Sequence, residues 1–192
     1  MSYYQGSLDG LCGLYACINA LNNVSGMKLT QEDCEKLFKS GVYFINSKRR
    51  NSLRDAMLNG LEIDAVGDLL EHLATRVESL KDKRLVVKEM NADVDLKGFW
   101  EALDLCIMAR GAAIVSLEQP FPPWSCVVGV GPKRLYFADS GSLRQLNRAN
   151  CTVGAAPAGK RTNVFNPSEV LSVFLQENWD AFVNGDDGKN GG

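Results

Sequence analysis

Apolar residues recur at helical spacing through the first half of the chain. Five of them each have another of the set three or four positions away, which is the spacing of a helix with one buried face. They are Leu11, Leu14, Tyr15, Ile18 and Leu21. Similar patterns predict further helices over residues 30–39, 53–58 and 64–80. The pattern therefore predicts that the first half, about 1–82, is helical.

Polar and glycine residues mark the expected ends of these helices. Thr30 followed by Asp33 is a capping-box pattern, in which each residue satisfies a backbone N–H group of the other. Gly41 and Gly60 are expected to end the second and third helices, because glycine adopts the left-handed conformation that commonly follows a helix.

From residue 84 onward the apolar pattern changes to short runs that are typical of strands. Strands are predicted over residues 85–90, 112–117, 124–130 and 134–139, with one helix over 96–110 between the first two. Proline and glycine residues separate these runs, as expected for a sheet of neighbouring antiparallel strands. The second half is therefore predicted to be a mostly antiparallel sheet.

The last third of the chain predicts two short strands, a helix and a tail. The strands are expected near residues 143–146 and 151–153, and Asn166 is interpreted as the cap of a last helix. Four apolar residues would face inward from that helix: Val170, Leu171, Phe174 and Leu175. Residues 184–192 have no apolar residue and are predicted to be disordered.

Length and charge narrow the classes of protein that the chain can belong to. Its 192 residues suit one α+β domain over 1–183, with a helical lobe (1–82) and a sheet lobe (83–183). The formal net charge of -2 gives no electrostatic reason to expect a nucleic-acid partner. No apolar run is long enough to span a membrane, and no basic leader precedes the first helix, so a cytoplasmic location is expected.

The cysteine and histidine content argues against a metal or other cofactor. The six cysteines include no CxxC pair, and the chain has a single histidine, so a zinc site is not expected. Without a secretory leader the thiols are expected to stay reduced. The histidine, His72, falls between two apolar positions of the helix predicted over 64–80, where we expect a structural or solvent-facing role.

Cys12 stands at the junction between a polar loop and the first helix. The N–H groups at a helix start favour a thiolate, which makes Cys12 a candidate nucleophile with a pKa below the usual value of about 8.5. Gly10 and Gly13 would let a bound carbonyl group approach the backbone closely. The alternative is a small buried core cysteine, which is our interpretation of the other five.

The order of these segments resembles that of the papain-like cysteine peptidases. The resemblance is carried by residues 5–20, which are similar to a glutamine-bearing loop and nucleophile helix, and by the two strand segments 124–130 and 135–140. It is closest to the compact bacterial proteins related to bacteriocin-processing peptidases. The resemblance implies a papain-like α+β fold, with the Cys-bearing helix in an N-terminal helical half and a mostly antiparallel sheet in the C-terminal half.

The same resemblance assigns roles to individual residues. Cys12 would be the nucleophile, Gln5 the side-chain donor to the oxyanion, and Asp139 the carboxylate that orients the base. The family's histidine would stand at Pro123, directly before Trp124, which with Gly10 and Gly13 would border the binding cleft. Proline offers no base, so the expected imidazole is missing.

Several functions stay open on this sequence. The leading hypothesis is a pseudoenzyme that uses the cleft or a nearby face to bind a peptide or protein. The alternative is an active cysteine-dependent peptidase, deamidase or acyltransferase with an atypical base, or a form in which Pro123 replaces the histidine of an active parent. A fold that serves only as a scaffold is the third interpretation.

Overall fold

The computed structural model describes residues 10–24, 26–47, 53–89, 95–118, 123–155 and 162–184, and these form an α+β fold. Most of the helices precede most of the strands along the chain, as predicted. The helices are α1 (Cys12–Asn23), α2 (Gln31–Ser47), α3 (Leu53–Asn59), α4 (Ile63–Lys81), α5 (Leu96–Met108) and α6 (Gln176–Val183). The strands are β1 (Leu85–Glu89), β2 (Ala112–Leu117), β3 (Trp124–Val130), β4 (Arg134–Phe137), β5 (Gln145–Asn147), β6 (Cys151–Val153) and β7 (Asn163–Leu175).

The strands form one sheet in the order β1-β7-β2-β3-β4-β5. Every pair along this path is antiparallel, whereas β6 pairs with β7 in parallel. Helices cover both faces of the sheet, with α1, α2 and α4 contributing to one apolar cluster and α5 to the other. In the described part of the chain, no helix combines the length and apolar character needed to cross a membrane.

The second helix is longer than predicted. Its capping box is confirmed, since the Thr30 N–H donates to Asp33 Oδ2 at 2.7 Å and the Asp33 N–H donates to Thr30 Oγ1 at 3.1 Å. Gly41 does not end it, and α2 continues to Ser47. A Cβ atom at Gly41 would come within 2.4 Å of Leu14 Cδ1, so this glycine allows close packing against α1.

The predicted last helix, capped at Asn166, is wrong. The segment is β7, which lies between β1 and β2 and is buried on both faces. Its apolar residues alternate between the two clusters: Val170 and Phe174 belong to one, Leu171 and Val173 to the other. This alternation is that of a central strand, and only tertiary pairing distinguished it from a helical pattern.

Asn166 lies instead where the register of β7 against β2 shifts. Ser116 pairs with Asn166, whereas Val115 pairs with Val170, so the residues between them form an irregular bulge. Asn166 Oδ1 accepts hydrogen bonds from the N–H and the hydroxyl of Ser168, at 3.2 and 2.8 Å. Asn166 therefore binds a nearby backbone N–H group, as a helix cap would. The bond closes a turn within a strand instead of starting a helix.

Candidate functional site

Cys12 is the first residue of α1, as predicted. Its side chain is buried, with 2% of the residue exposed, and its thiol donates to the Gly10 carbonyl with a sulfur–oxygen distance of 3.7 Å. The helix packs directly against β3. The predicted place of this cysteine at a helix start is therefore confirmed, and the structure adds that this helix lies beside the sheet.

The beginning of β3 lies next to the Cys12 sulfur. The backbone N–H group of Trp124 is near enough to the sulfur to lower the pKa of the thiol, as are those of Cys12 itself and Gly13. The Trp124 indole is buried, and its Nε1–H donates to the Leu61 carbonyl at 2.6 Å. Helix start and strand start are thus adjacent, although they are more than 100 residues apart in the sequence.

Burial makes Cys12 a weaker acid than we expected. Loss of solvent is the largest influence and raises the pKa of the thiol above its ordinary value. The three backbone N–H groups act in the opposite direction but do not compensate, and the negative charge of Asp139 raises the pKa further. The prediction of a lowered pKa is therefore wrong, because the helix start is buried rather than open to solvent.

Asp139 is also fully buried, and its carboxylate is already bound by the chain itself. Oδ1 accepts the hydroxyl of Ser125 at 2.7 Å, and Oδ2 accepts the backbone N–H groups of Gly141 and Leu143 at 2.7 and 3.2 Å. These bonds hold the turn that follows β4. Asp139 therefore has a structural role whatever else it does.

Pro123 is not the residue that faces Asp139. It is exposed at the start of β3, where its carbonyl accepts the Leu117 N–H at 2.8 Å. The side chain that reaches Asp139 is that of Ser125, two residues further along the strand. Sequence analysis missed Ser125, although pairing Val127 with Phe137 across the hairpin would have placed Ser125 opposite Asp139.

Segments of the chain itself occupy the space beside both site glycines. A Cβ atom at Gly10 would lie 2.7 Å from the carbonyl oxygens of Ala56 and Met57, and the Gly10 N–H donates to the latter at 2.8 Å. A Cβ atom at Gly13 would lie 3.0 Å from Val66 and 3.3 Å from Leu61. The expected approach of a bound carbonyl group is replaced by close packing against α3 and the start of α4.

The single histidine lies at a helix–helix contact. His72 Nε2 is 2.9 Å from Ser40 Oγ, and the ring stacks on Phe44 with centroids 4.4 Å apart. Both contacts are with α2, so the ring is held between α2 and α4 and is half-buried. The expected structural role is confirmed.

The other five cysteines are buried in the core, as expected, and none of the six forms a disulfide. Burial raises the pKa of Cys106 and of Cys151 to about 11 in each case. No group of three or more histidine, cysteine, aspartate or glutamate residues is placed to bind a metal ion within the described ranges. Gln5 lies outside those ranges, and so do Lys48–Arg50 and the tail from 185 onward.

The chain was compared with protein families, curated proteins and solved structures. No protein-family model, no curated protein and no solved structure matches the chain.

Proposed function

We propose that this chain is a papain-fold cysteine peptidase homologue without peptidase activity, which acts by binding a peptide or protein. The arrangement of Cys12 at a helix start, with β3 and Asp139 close to it, supports the papain-like part of the proposal. The chain lacks an imidazole to activate the thiol, because its only histidine is held against α2.

The bond between Ser125 and Asp139 is the observation that carries the proposal. In a papain-type site the carboxylate orients an imidazole, and that imidazole forms an ion pair with the thiolate. Here a serine hydroxyl donates to the buried Asp139 Oδ1 at 2.7 Å, and a serine cannot accept the proton of a thiol at neutral pH. Ser125 is therefore a better candidate than Pro123 for the position of the lost histidine.

Three backbone N–H groups at the Cys12 sulfur favour an active thiol hydrolase as the second candidate. They would stabilise a thiolate once it formed, as an oxyanion hole stabilises an alkoxide. This candidate requires a base that the described residues do not supply near the sulfur.

One experiment separates the two candidates. The protein and its Cys12→Ala variant are each incubated with a complex peptide library, and both new peptide termini and peptides retained on the immobilised protein are identified by mass spectrometry. We expect retained peptides without new termini in either sample. New termini that depend on Cys12 would establish the hydrolase, and a library with neither retained nor cleaved peptides would contradict binding.

A gain-of-function pair tests the assignment of the lost position. Ser125→His brings an imidazole to Asp139, whereas Pro123→His puts one on the exposed end of the strand. We expect Ser125→His to gain peptidase activity and Pro123→His to gain none. Activity from Pro123→His alone would restore Pro123 as the histidine position.

A further inference from the structure

A groove of about 570 Å³ lies between the first half of α4 and the strand β1, and it shares no lining residue with the Cys12 site. Its floor is apolar and consists of Val87 from β1 and Leu171 from β7. Because α4 leads into β1 through a short turn, the helix start lies beside the strand end, and the groove runs between the two. This geometry suits an extended ligand.

The open side of the groove is the edge of the sheet. Among the residues that the structure describes, β1 pairs only with β7. The Arg84 carbonyl accepts the Gln176 N–H at 3.0 Å, next to the pairing of Leu85 with Leu175, whereas the Leu85 N–H donates to the Glu78 carboxylate at 2.7 Å. Backbone groups alternate in direction along an antiparallel strand, so those of Val87 and Glu89 point away from β7.

The walls of the groove are strongly acidic. Asp64, Asp68 and Glu71 recur at positions i, i+4 and i+7 of α4, so they share one exposed face, and Glu89 adds a fourth carboxylate from β1. The only cationic residue in the lining is Lys88, whose ammonium group lies over the Trp179 ring, 5.6 Å from its centroid. Lys88 alternates with Val87 along the strand and so extends on the opposite face.

A glycine keeps the wall of α4 open. No heavy atom lies within 4 Å of the position that a Cβ at Gly67 would take. The helix therefore presents free space between its carboxylates, directly above the strand edge.

We propose that this groove binds an extended basic peptide segment of a partner protein, which adds to β1 as a further strand. Val87 and Glu89 would supply the backbone hydrogen bonds, and alternate Lys or Arg side chains would face the α4 carboxylates. A second copy of this chain does not fit, because its own edge would bring like charges against these four carboxylates. The inference rests on the proposed binding function, to which it adds a site and a partner chemistry.

The test is a fluorescence anisotropy titration with a labelled eight-residue peptide of alternating Arg and Thr. The matched peptides carry Pro in place of Thr, which cannot form a strand, or Glu in place of Arg. We expect binding of the Arg-Thr peptide only. Asp64→Asn with Glu71→Gln should weaken this binding at least about tenfold, since two charge pairs are lost, and Glu32→Gln with Glu35→Gln on α2 is the charge-matched control.

Two further measurements show whether the peptide binds along β1 and whether it occupies the groove. In amide exchange followed by NMR, the Val87 and Glu89 N–H groups should gain protection when the peptide is bound. Gly67→Phe, which fills the open space without a clash, should block binding. Equal affinity for the Pro-containing peptide, unchanged binding by the groove variants, or no binding of the Arg-Thr peptide would each overturn the proposal.

The outcome also separates this inference from the proposed function. If library peptides are retained by the Asp64→Asn, Glu71→Gln variant as well as by the parent, the binding function stands and the groove is rejected. Cleavage of the Arg-Thr peptide that depends on Cys12 would reject the proposed function instead. Sedimentation showing a dimer that Gly67→Phe dissociates would assign the edge to a second copy and overturn the partner peptide.

Discussion

The Cys12 site and the α4–β1 groove differ in how their polar groups are hydrogen-bonded. At the site the Asp139 carboxylate is bound by Ser125 and two backbone N–H groups, and the thiol is buried. In the groove, backbone groups of Val87 and Glu89 point outward beside exposed carboxylates. In the first region the polar side chains are bound within the protein, whereas the edge of β1 in the second has backbone groups that point away from β7.

The largest expected effect comes from removing the Asp139 carboxylate. Asp139→Ala leaves three donors without their acceptor, two of them buried, and we expect a loss of about 2–4 kcal/mol in the free energy of unfolding. Urea denaturation followed by circular dichroism measures it. Asp64→Ala, which removes an exposed carboxylate from the groove, is the control and should change stability by no more than about 0.5 kcal/mol. A loss below 1 kcal/mol for Asp139→Ala would mean that the carboxylate does not hold the turn.

A methyl group at Gly10 should have the next largest effect. Gly10→Ala brings a Cβ atom within 2.7 Å of two carbonyl oxygens of α3, so the contact must open. We expect destabilisation by about 1–3 kcal/mol, as for other overpacked positions. Thermal denaturation of the variant against the parent gives the value. Stability equal to that of the parent would show that α3 can move away from Gly10 without loss of stability.

The reactivity of Cys12 is expected to be low and to need high pH. Because burial raises the pKa of the thiol, its thiolate fraction at pH 7 is below that of an exposed cysteine and levels off only at a higher pH than for an exposed cysteine. Iodoacetamide labelling in the folded protein should be at least about tenfold slower than in the denatured chain at pH 7.5. Peptide mass spectrometry measures both rates, with Cys151 as an internal comparison.

Faster labelling of Cys12 in the folded than in the denatured chain would contradict this description. It would mean that the helix start activates the sulfur in spite of its burial, and the hydrolase would become the better interpretation. The slope of the rate with pH gives the same information, because an activated thiol reaches its plateau below pH 8.

Gly67→Ala should have the smallest effect and the opposite sign. The added methyl group meets open space, and alanine loses less backbone entropy than glycine when a helix forms. We expect a gain of about 0.5–1 kcal/mol in the free energy of unfolding, measured in the same urea titration. Destabilisation would indicate that the groove is filled in solution.

Sequence patterns correctly located the helices and strands whose formation depends on residues close together in the chain. The α4 helix, predicted over 64–80, runs over Ile63–Lys81, and β2 and β3 have the predicted bounds. Capping at Thr30 was correct for the same reason, since a capping box needs only residues three apart. Gly41 and the segment around Asn166 misled the prediction, because a neighbouring helix and two neighbouring strands decide their conformation.

At the candidate site too, features that depend on nearby residues were predicted and features that depend on distant segments were not. A cysteine at a helix start and an aspartate at a strand end were recognisable from the residues around them. That Ser125 rather than Pro123 contacts Asp139 depends on the register of β3 against β4, which shifts between Val127 and Gly129. The pKa of Cys12 depends on how deeply α1 is buried, which no local pattern reveals.

Hydrophobic periodicity and turn residues were enough to predict a helical half, a sheet half and a cysteine at the start of the first helix, because each follows from residues close together in the chain. The partners of the polar side chains were decided by packing between distant segments. Burial made Cys12 a weaker acid, and the Ser125 hydroxyl bound the carboxylate of Asp139. Within the described part of the chain, the sheet left β1 as an edge strand beside the acidic face of α4. Contacts between distant segments therefore determine the acidity and the hydrogen-bond partners of side chains whose positions in helices and strands follow from local patterns.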